Sequence, residues 1–439
     1  MRETLCSVTL AIAVLSSLSC HRSSAFINNT GAQPAFASAD LRAVYAADLN
    51  DSWNRIFRSL FTRTDKIYVS SDFPEGAPFV SFAEAMAVPN LRISSSTLER
   101  TEIGDRAIDP LYPSFFTDHG YQKIITASAF AEFKQALTDA LNESNPRSTL
   151  SRALMQSDLW AAYDAIVRFK LRGAKPSEVP NGNEQLLTLL RQLIKKLRLT
   201  SEEIASLRSN YADAVKKKDL PDLFSPRSEW IEIEFLPQRM HDDSADFRRA
   251  ARVFIKPRKP PADRAVFVER LKNHEHLEGV EAVGLVVQNL LLNQEGQIVP
   301  SPLISDVQFR FFKDNNGQRP VDAEAKQFEL SRHLLLTEPE TGGFVEFNEK
   351  SPAYLTASGN DYTFMSRQLE GVDGPILVPM RTRCAQCHGQ TLTTMMTYSI
   401  HDVPPLPTVR VLNQSDNERA RYVAMQKAQQ EDYKSLVGP

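Results

Sequence analysis

Apolar side chains recur at helical spacing through most of the first half of the chain. Trp53, Ile56 and Phe57 lie on adjoining turns of a predicted helix over 41–60. The same spacing predicts further helices over 127–141, 149–171, 183–197 and 201–217. Residues 64–122 contain many Pro, Ser and Asp residues, which favour short strands and loops. We therefore expect residues 38–220 to form a mainly helical region.

The join between the last two predicted helices combines a helix-start signal with a cluster of basic residues. Thr200 is a predicted N-cap, and Glu203, three residues later, completes a capping box. The basic residues just before it are Arg191, Lys195, Lys196 and Arg198. Such a cluster is typical of a solvated helix face, with a surface for an anionic partner as the alternative.

From residue 230 the spacing changes from helical to alternating. Ile231, Ile233 and Phe235 point to one side of a predicted strand, and Glu232 and Glu234 point to the other. This alternation predicts a half-buried strand with one acidic face. Further strands are predicted over 253–255, 283–292, 297–299, 307–312, 328–336 and 343–347, with a turn over 294–296 and a helix over 264–272. We expect an antiparallel sheet in an α+β region over 221–350.

The last part of the chain has a different character. Glycine and proline are frequent past residue 350, and the only strand-like run there is short, over 376–378. A Pro-rich loop over 401–407 and a polar helix over 416–436 follow. The predicted fold class is therefore α+β, with a helical N-terminal region, an antiparallel-sheet middle region and an irregular C-terminal segment over 351–439.

Composition and charge add little to this picture. Apolar residues make up 42% of the chain and charged residues 24%, which is typical of an ordered, water-soluble protein. The formal net charge is -3, from 51 basic and 54 acidic residues. A balance so near neutrality gives no reason to expect nucleic acid as a partner.

The N-terminus predicts export. Residues 5–18 are apolar or small throughout and follow a short charged start. This run suits the apolar part of a signal peptide and is shorter than the roughly 20 residues needed to span a bilayer. We expect a signal peptide over 1–20, a flexible tether over 21–37, and a mature protein in the periplasm.

Two processing sites compete at the end of this signal. The run Ser17-Leu18-Ser19-Cys20 resembles a bacterial lipobox, which implies lipidation of Cys20 and a membrane-anchored lipoprotein facing the periplasm. The alternative is ordinary cleavage after Ala25, at a site of small residues. We favour the lipoprotein.

The strongest chemical signal is the run Cys384-Ala385-Gln386-Cys387-His388. Of the four cysteines, Cys6 leaves with the signal peptide and Cys20 is lipidated or removed, so the mature chain keeps this single pair. Two thiols at this spacing reach neighbouring vinyl groups of one haem, and His388 then offers an imidazole to the iron. A structural zinc site requires more ligands, and a redox dithiol leaves the histidine unexplained. Both remain alternatives to covalent haem.

The five-residue motif resembles the haem-attachment site of c-type cytochromes. That resemblance implies one covalent haem c, attached through Cys384 and Cys387 with His388 as an axial iron ligand. In compact cytochromes c the motif lies near the start of the domain, whereas here only residues 389–439 follow it. We therefore expect the haem to pack against the preceding α+β region, as in exported haem proteins whose larger domain shelters the haem.

The second axial ligand decides between functions. Met396 is the first candidate, with Met395 and His401 as alternatives. A methionine or histidine on the iron favours electron transfer to a redox partner protein, which is the function we expect. An open iron site favours a haem enzyme or a gas or redox sensor, and absence of haem leaves a binding or scaffold lipoprotein. The sequence shows no other catalytic motif.

Overall fold

The structure is a computed structural model. It describes residues 43–70, 98–107, 127–144, 147–171, 183–217, 219–236, 248–273, 279–313, 321–347, 376–377, 408–413 and 417–438. All of them belong to one compact unit, Ala35–Pro439. The helical region, the sheet region and the last helices of the chain are therefore seen together, whereas the predicted signal peptide, with Cys20, lies outside the described residues.

The first half of the described chain is largely helical, as predicted. Its helices are α1 (Ser52–Phe61), α2 (Ala127–Asn142), α3 (Thr149–Leu171), α4 (Asn183–Lys196), α5 (Ser201–Ser206) and α6 (Asn210–Lys216). Two strands, β1 (Thr62–Ser70) and β2 (Leu98–Ala107), pair with each other and lie between α1 and α2 in the sequence.

Local capping explains where two of these helices differ from the predicted bounds. The helix expected from residue 41 begins only at Ser52, because the Asp51 carboxylate accepts a hydrogen bond of 2.9 Å from the Trp53 backbone N–H. The helix expected over 201–217 is divided in two, because the Ser209 hydroxyl caps a new helix by accepting from the Ala212 backbone N–H. Short polar side chains thus set both starts.

The second half contains the predicted antiparallel sheet. Its strands are β3 (Ile231–Leu236), β4 (Arg249–Pro257), β5 (Val280–Leu292), β6 (Ile298–Lys313), β7 (Val321–Leu330), β8 (Phe344–Phe347) and, after β9 (Ile376–Leu377), β10 (Thr408–Val411). The spatial order is β10-β3-β4-β5-β6-β7-β8, and every neighbouring pair is antiparallel. The α+β fold class is confirmed.

The remaining elements are a small sheet and short helices. Strand β9 belongs to a separate sheet of order β2-β1-β9, in which it runs parallel to β1. The helices of the second half are α7 (Arg264–Asn273), α8 (Arg332–Thr337), α9 (Glu418–Ala428) and α10 (Glu431–Val437). The predicted helix over 416–436 is therefore two helices. None of the described helices combines the length and apolar character that crossing a membrane requires.

Two predicted strands, over 297–299 and 307–312, form one long strand, β6. Pro300 and Pro302 interrupt the alternation there, which is why the sequence favours two strands. The β5–β6 pairing shifts register twice near this point, and these irregularities accommodate the prolines. The predicted turn before β6 is confirmed, with Gly296 at φ +82°.

Apolar side chains cover both faces of the large sheet. On one face, α7 packs Phe267, Val268 and Leu271 against β3, β4 and β5. On the other face, Tyr211 and Ala214 of α6 pack against a second set of strand residues. The largest apolar cluster joins α1 to α4 with the last helices, through Ala420 and Val423 of α9 and Leu436 of α10. The two helices that follow β10, α9 and α10, therefore pack into the same apolar core as the helices of the first half.

The capping box at the start of α5 is confirmed. The Thr200 hydroxyl accepts from the Glu203 backbone N–H at 3.0 Å, and the Glu203 carboxylate accepts from the Thr200 backbone N–H at 2.8 Å. We expect Thr200→Ala to lower the free energy of unfolding by about 1 kcal/mol, because a helix-terminal N–H loses its acceptor. Denaturant titration measures the change. The matched control is Thr188→Ala on the exposed side of α4, which should stay within about 0.5 kcal/mol. Equal losses in the two variants would contradict the capping role.

Candidate functional site

The residues predicted to bind haem lie outside the described part of the chain. This applies to Cys384, Cys387 and His388 and to the distal candidates, which are Met395, Met396 and His401. The structure does describe the two strands that bracket them in the sequence. The last described residue before the motif is Leu377 of β9, and the first after it is Thr408 of β10.

Both edges of the large sheet adjoin the segment that carries the motif. Residues 348–407 connect β8, at one edge, with β10, at the other. Six inter-strand spacings of about 4.8 Å separate these edges, so the connection spans roughly 29 Å across the sheet. Within this connection, β9 pairs with β1 of the small sheet, so the described strands that bracket the motif, β9 and β10, belong to two different sheets.

Strand β10 is held at the sheet edge by backbone pairing with β3. Thr408 lies opposite Leu236, and Val411 lies opposite Ile233. Beyond the strand, the Leu412 backbone N–H donates to the Glu232 carbonyl at 2.9 Å. The chain after the motif is therefore paired with β3 from Glu232 to Leu236.

Charged side chains surround this junction. Glu232 and Glu234 are each 1% exposed, so the predicted acidic face of β3 does not face water. The alternation was predicted correctly, but the half-buried character was wrong, because guanidinium groups and α9 cover the acidic side. We name the residues that join in this cluster the sheet-edge network: Glu232, Glu234, Arg252, Gln288, Arg410, Asn417, Glu418 and Arg419.

Arg252 is the centre of the sheet-edge network. Its Nε and one terminal nitrogen donate to the two Glu232 carboxylate oxygens at 2.8 and 2.7 Å. Its other terminal nitrogen donates to the side-chain oxygens of Gln288, at 3.2 Å, and Asn417, at 3.0 Å. The guanidinium also lies 4.6 Å from the centre of the Phe224 ring. A guanidinium group has five N–H donors in one plane, so Arg252 can bind Glu232, Gln288 and Asn417 at once. A lysine ammonium could not make the same set of contacts.

Asn417 links the network to the start of α9. Its backbone is left-handed, with φ 49°, and it is the N-cap residue of α9 without a side-chain cap. Its amide oxygen instead accepts from Arg252 and, at 3.3 Å, from the Gln288 amide. Asparagine tolerates this conformation better than most residues do. Asn417 therefore fastens the start of α9 to β4 and β5 of the sheet.

Burial changes the proton affinity of two members of the network. It raises the pKa of the Glu232 carboxyl, and the hydrogen bonds from Arg252 act against that rise. Burial also lowers the pKa of Arg419 to about 10, while the Glu234 carboxylate acts in the opposite direction. The network contains three carboxylates and three guanidinium groups, so its charges balance. Such balance is typical of an ion-pair cluster with a structural role.

A second polar cluster surrounds Tyr45 in the helical region. The Tyr45 hydroxyl donates to Asp158, and Arg332 binds the same carboxylate through two nitrogens. Burial raises the pKa of Tyr45 well above its usual range, and the Asp158 carboxylate adds to the rise. A nearby open cleft of about 690 Å³ is lined by Tyr45, Asp139, Asn142, Glu143, Ser144, Arg147 and Ser151.

The carboxylates of this cleft are already engaged. Asp139 binds Arg55 at 2.6 Å, and Glu143 binds Arg147 at 2.7 Å. The cleft therefore presents largely neutralised charge. Elsewhere in the described ranges, no three His, Cys, Asp or Glu side chains come together as a metal site.

The basic cluster before α5 is partly confirmed as a solvated surface. Lys195 and Lys196 are exposed. Lys196 also has an internal role, because its ammonium donates to the backbone carbonyls of Ala140, Leu141 and Glu143 at 3.1, 2.8 and 2.7 Å. A cation at these carbonyls stabilises the C-terminus of α2.

The sequence interpretation missed Arg252 and Asn417. One signal for Arg252 was present, because it is a single charge within the apolar run 250–255. A charge at such a position requires a buried partner, and the acidic residues of the preceding strand supply it. Asn417 offers no comparable signal, since its role depends on contacts with strands distant in sequence.

Comparison with protein families, with curated proteins and with solved structures found no match to this chain.

Proposed function

We propose that this chain is an exported protein that carries one covalent c-type haem and transfers electrons to or from a redox partner protein. The observation that carries the proposal is the spacing of Cys384, Cys387 and His388 in a mature chain with no other free cysteine, since Cys20 is lipidated or removed. The segment that carries this motif is bracketed by β9, which pairs with β1, and by β10, which pairs with β3.

The proposed roles follow from the chemistry of each side chain. The Cys384 and Cys387 thiols would hold the haem through thioethers to its two vinyl groups, and the His388 imidazole would bind the iron. Met396 is the proposed second ligand, with Met395 and His401 as alternatives. When bound, haem supplies a one-electron redox couple. A methionine thioether bound together with His388 would raise the reduction potential and would close the iron to small ligands.

The decisive experiment is spectroscopic. Protein matured in a periplasm is extracted with acid acetone and converted to its pyridine haemochrome. We expect the haem to remain with the polypeptide and to give a c-type spectrum. Carbon monoxide added to the reduced protein should bind slowly if Met396, Met395 or His401 occupies the iron. Complete extraction of the haem would overturn the proposal, and rapid carbon monoxide binding would favour an enzyme or sensor.

We propose that Cys20 anchors the protein to the membrane. Cys20→Ser is expected to move the protein from the membrane fraction to the soluble periplasmic fraction, because the several acyl chains of a lipoprotein bind firmly and their loss leaves no anchor. Immunoblotting of the two fractions measures the shift. Cys6→Ser, within the predicted apolar run, is the matched control and should leave the protein in the membrane fraction. An unchanged distribution of Cys20→Ser would favour cleavage after Ala25.

A further inference from the structure

The stretch over 256–272 is strongly basic, although the chain as a whole has a formal net charge of -3. It contains six basic and two acidic residues, and it includes the end of β4, the loop that follows and most of α7. The basic residues of this stretch that we name the basic end of the sheet are Arg258, Lys259, Arg264 and Arg270. The proposed haem chemistry uses none of them.

The antiparallel register explains why these four residues lie at one end of the large sheet. The first residue of β3 lies opposite Ile255 of β4, and the first residue of β5 lies opposite Pro257, the last of β4. The end of β4 and the starts of both its neighbours are therefore together. Arg258 and Lys259 follow β4 directly, and α7, which joins β4 to β5 in the sequence, carries the other two cations.

Neutral groups hold two of the guanidinium groups at this end. Arg258 donates to the backbone carbonyl of Phe312, at the end of β6, at 2.7 Å. Arg264 donates to the backbone carbonyl of Ser228, just before β3, also at 2.7 Å. Within the described ranges, no carboxylate forms an ion pair with any of the four cations. The contacts therefore fix the position of the positive charge without cancelling it.

An exposed apolar side chain lies among these cations. Val266 is 66% exposed, and Arg270, one helical turn later on α7, lies on the same face of the helix. The Arg270 guanidinium also lies 5.5 Å from the centre of the Phe267 ring. Pro260, in the loop before α7, is exposed as well. The basic end thus presents a small apolar surface surrounded by positive charge.

We propose that the basic end of the sheet docks on a membrane surface of anionic phospholipids, with Val266 inserted among the head groups. Guanidinium groups present paired N–H donors that match phosphate oxygens. An apolar side chain beside cations suits the boundary between head groups and acyl chains. The choice of a membrane as the occupant rests on the proposed export and lipidation at Cys20, which place the chain beside a bilayer. It does not depend on haem.

This contact orients the protein and is too weak to anchor it. Each basic side chain near an anionic surface raises membrane partition about fivefold. At physiological ionic strength, screening confines the attraction to about 8 Å. Release of Cys20→Ser to the soluble fraction is therefore still expected, because a contact this weak is lost when membranes are sedimented and washed.

The test measures how much of the Cys20→Ser protein, which has no acyl chains, sediments with lipid vesicles at about 0.1 M salt. The Debye length of about 10 Å then limits the attraction to cations close to the bilayer. We expect binding to vesicles that contain the anionic lipid phosphatidylglycerol. Vesicles of phosphatidylcholine alone, which carry no net charge, should bind little protein. Salt at about 1 M should remove the difference.

A matched pair of double variants locates the charge contact. Lys259→Gln combined with Arg270→Gln should lower binding about 25-fold, since each cation contributes about fivefold. Lys195→Gln combined with Lys217→Gln makes the same change in net charge at exposed positions on α4 and at the end of α6. This second variant should bind within about twofold of the parent protein, because its cations are screened from the bilayer.

A matched pair of single variants tests the apolar contact. Val266→Ser should weaken binding to the phosphatidylglycerol vesicles, because it removes the side chain that enters the head groups. Met425→Ser replaces an apolar side chain of α9 that is 58% exposed, and it should leave binding unchanged.

The outcomes separate this inference from the earlier proposals. Binding that prefers phosphatidylglycerol and falls only in the variants of the basic end supports it. Equal binding to the two kinds of vesicle, or equal effects within either matched pair, overturns it. Retention on immobilised polyglutamate without binding to vesicles also overturns it and identifies an acidic protein as the occupant. The vesicle assay uses unlipidated protein, so its failure leaves the proposals for Cys20 and for haem standing.

Discussion

Lys427→Met is expected to lower the free energy of unfolding by about 3–5 kcal/mol, because it removes the cation from a fully buried ion-pair cluster. Lys427 and Asp164 are each 0% exposed, and Asp432 is 4% exposed. The ammonium donates to Asp164 at 2.6 Å and to Asp432 at 2.9 Å. Without it, two carboxylates remain in a region of low dielectric constant. Equilibrium denaturation of the unaltered and variant proteins measures the difference.

The place of Lys427 in the fold explains why so large a loss is expected. Lys427 lies on α9, Asp164 on α3 and Asp432 on α10, so one ammonium joins three helices. It also lies 5.8 Å from the centre of the Trp160 ring. The last helices of the chain are fastened to the helical core at this point.

Two further variants make the Lys427 prediction specific. Lys434→Met removes a lysine that is 54% exposed and paired with the exposed Glu431, and it should change stability by no more than about 0.5 kcal/mol. The triple variant Asp164→Asn, Lys427→Met, Asp432→Asn should recover part of the loss, because neutral groups need no buried counter-charge. A Lys427→Met protein as stable as the Lys434→Met protein would contradict the prediction.

Replacing Cys384 and Cys387 together by alanine is expected to abolish covalent haem. Each thiol supplies one thioether, so the double variant has no atom with which to bind the porphyrin covalently. Each single variant should keep one bond, with a pyridine haemochrome shifted because one vinyl group remains unsaturated. Haem staining of a denaturing gel, normalised to an immunoblot, measures attachment.

His388→Ala separates attachment from iron binding. It leaves both thiols in place but removes the proposed axial imidazole, so it should disturb the iron spectrum more than any change at Met396. Cys20→Ser is a control for cysteine replacement as such, and it should keep full haem content. Haem that persists in the Cys384→Ala, Cys387→Ala protein after acid-acetone extraction would contradict the proposed attachment.

Much of the fold was predictable because it depends on neighbouring residues. The helices over 127–141, 149–171 and 183–197 follow from apolar residues at helical spacing, and the structure confirms them within a few residues. The capping box at Thr200 and the turn at Gly296 are also local, since each depends on a few consecutive side chains or on one backbone angle. The motif over 384–388 is also local, because its five residues are adjacent, but it lies outside the described residues and stays a prediction.

Contacts between distant parts of the chain were decided only by the tertiary structure. Periodicity places Glu232 and Glu234 on one side of a strand, but it cannot say whether water or arginine covers that side. The same holds for Lys427, which lies in a helix that reads as polar and is nevertheless fully buried.

The burial of a side chain depends on which elements pack against each other. The pattern of apolar and polar residues describes only one helix or strand at a time. The strand order is likewise a property of the assembled sheet. It places β10 beside β3 at one edge and β8 at the opposite edge. By itself the sequence predicted most of the elements, although the strand expected over 328–336 ends at Leu330 and a helix follows at Arg332–Thr337. Packing decided which charges became internal, because each buried charge requires a partner that folding brings from elsewhere in the chain.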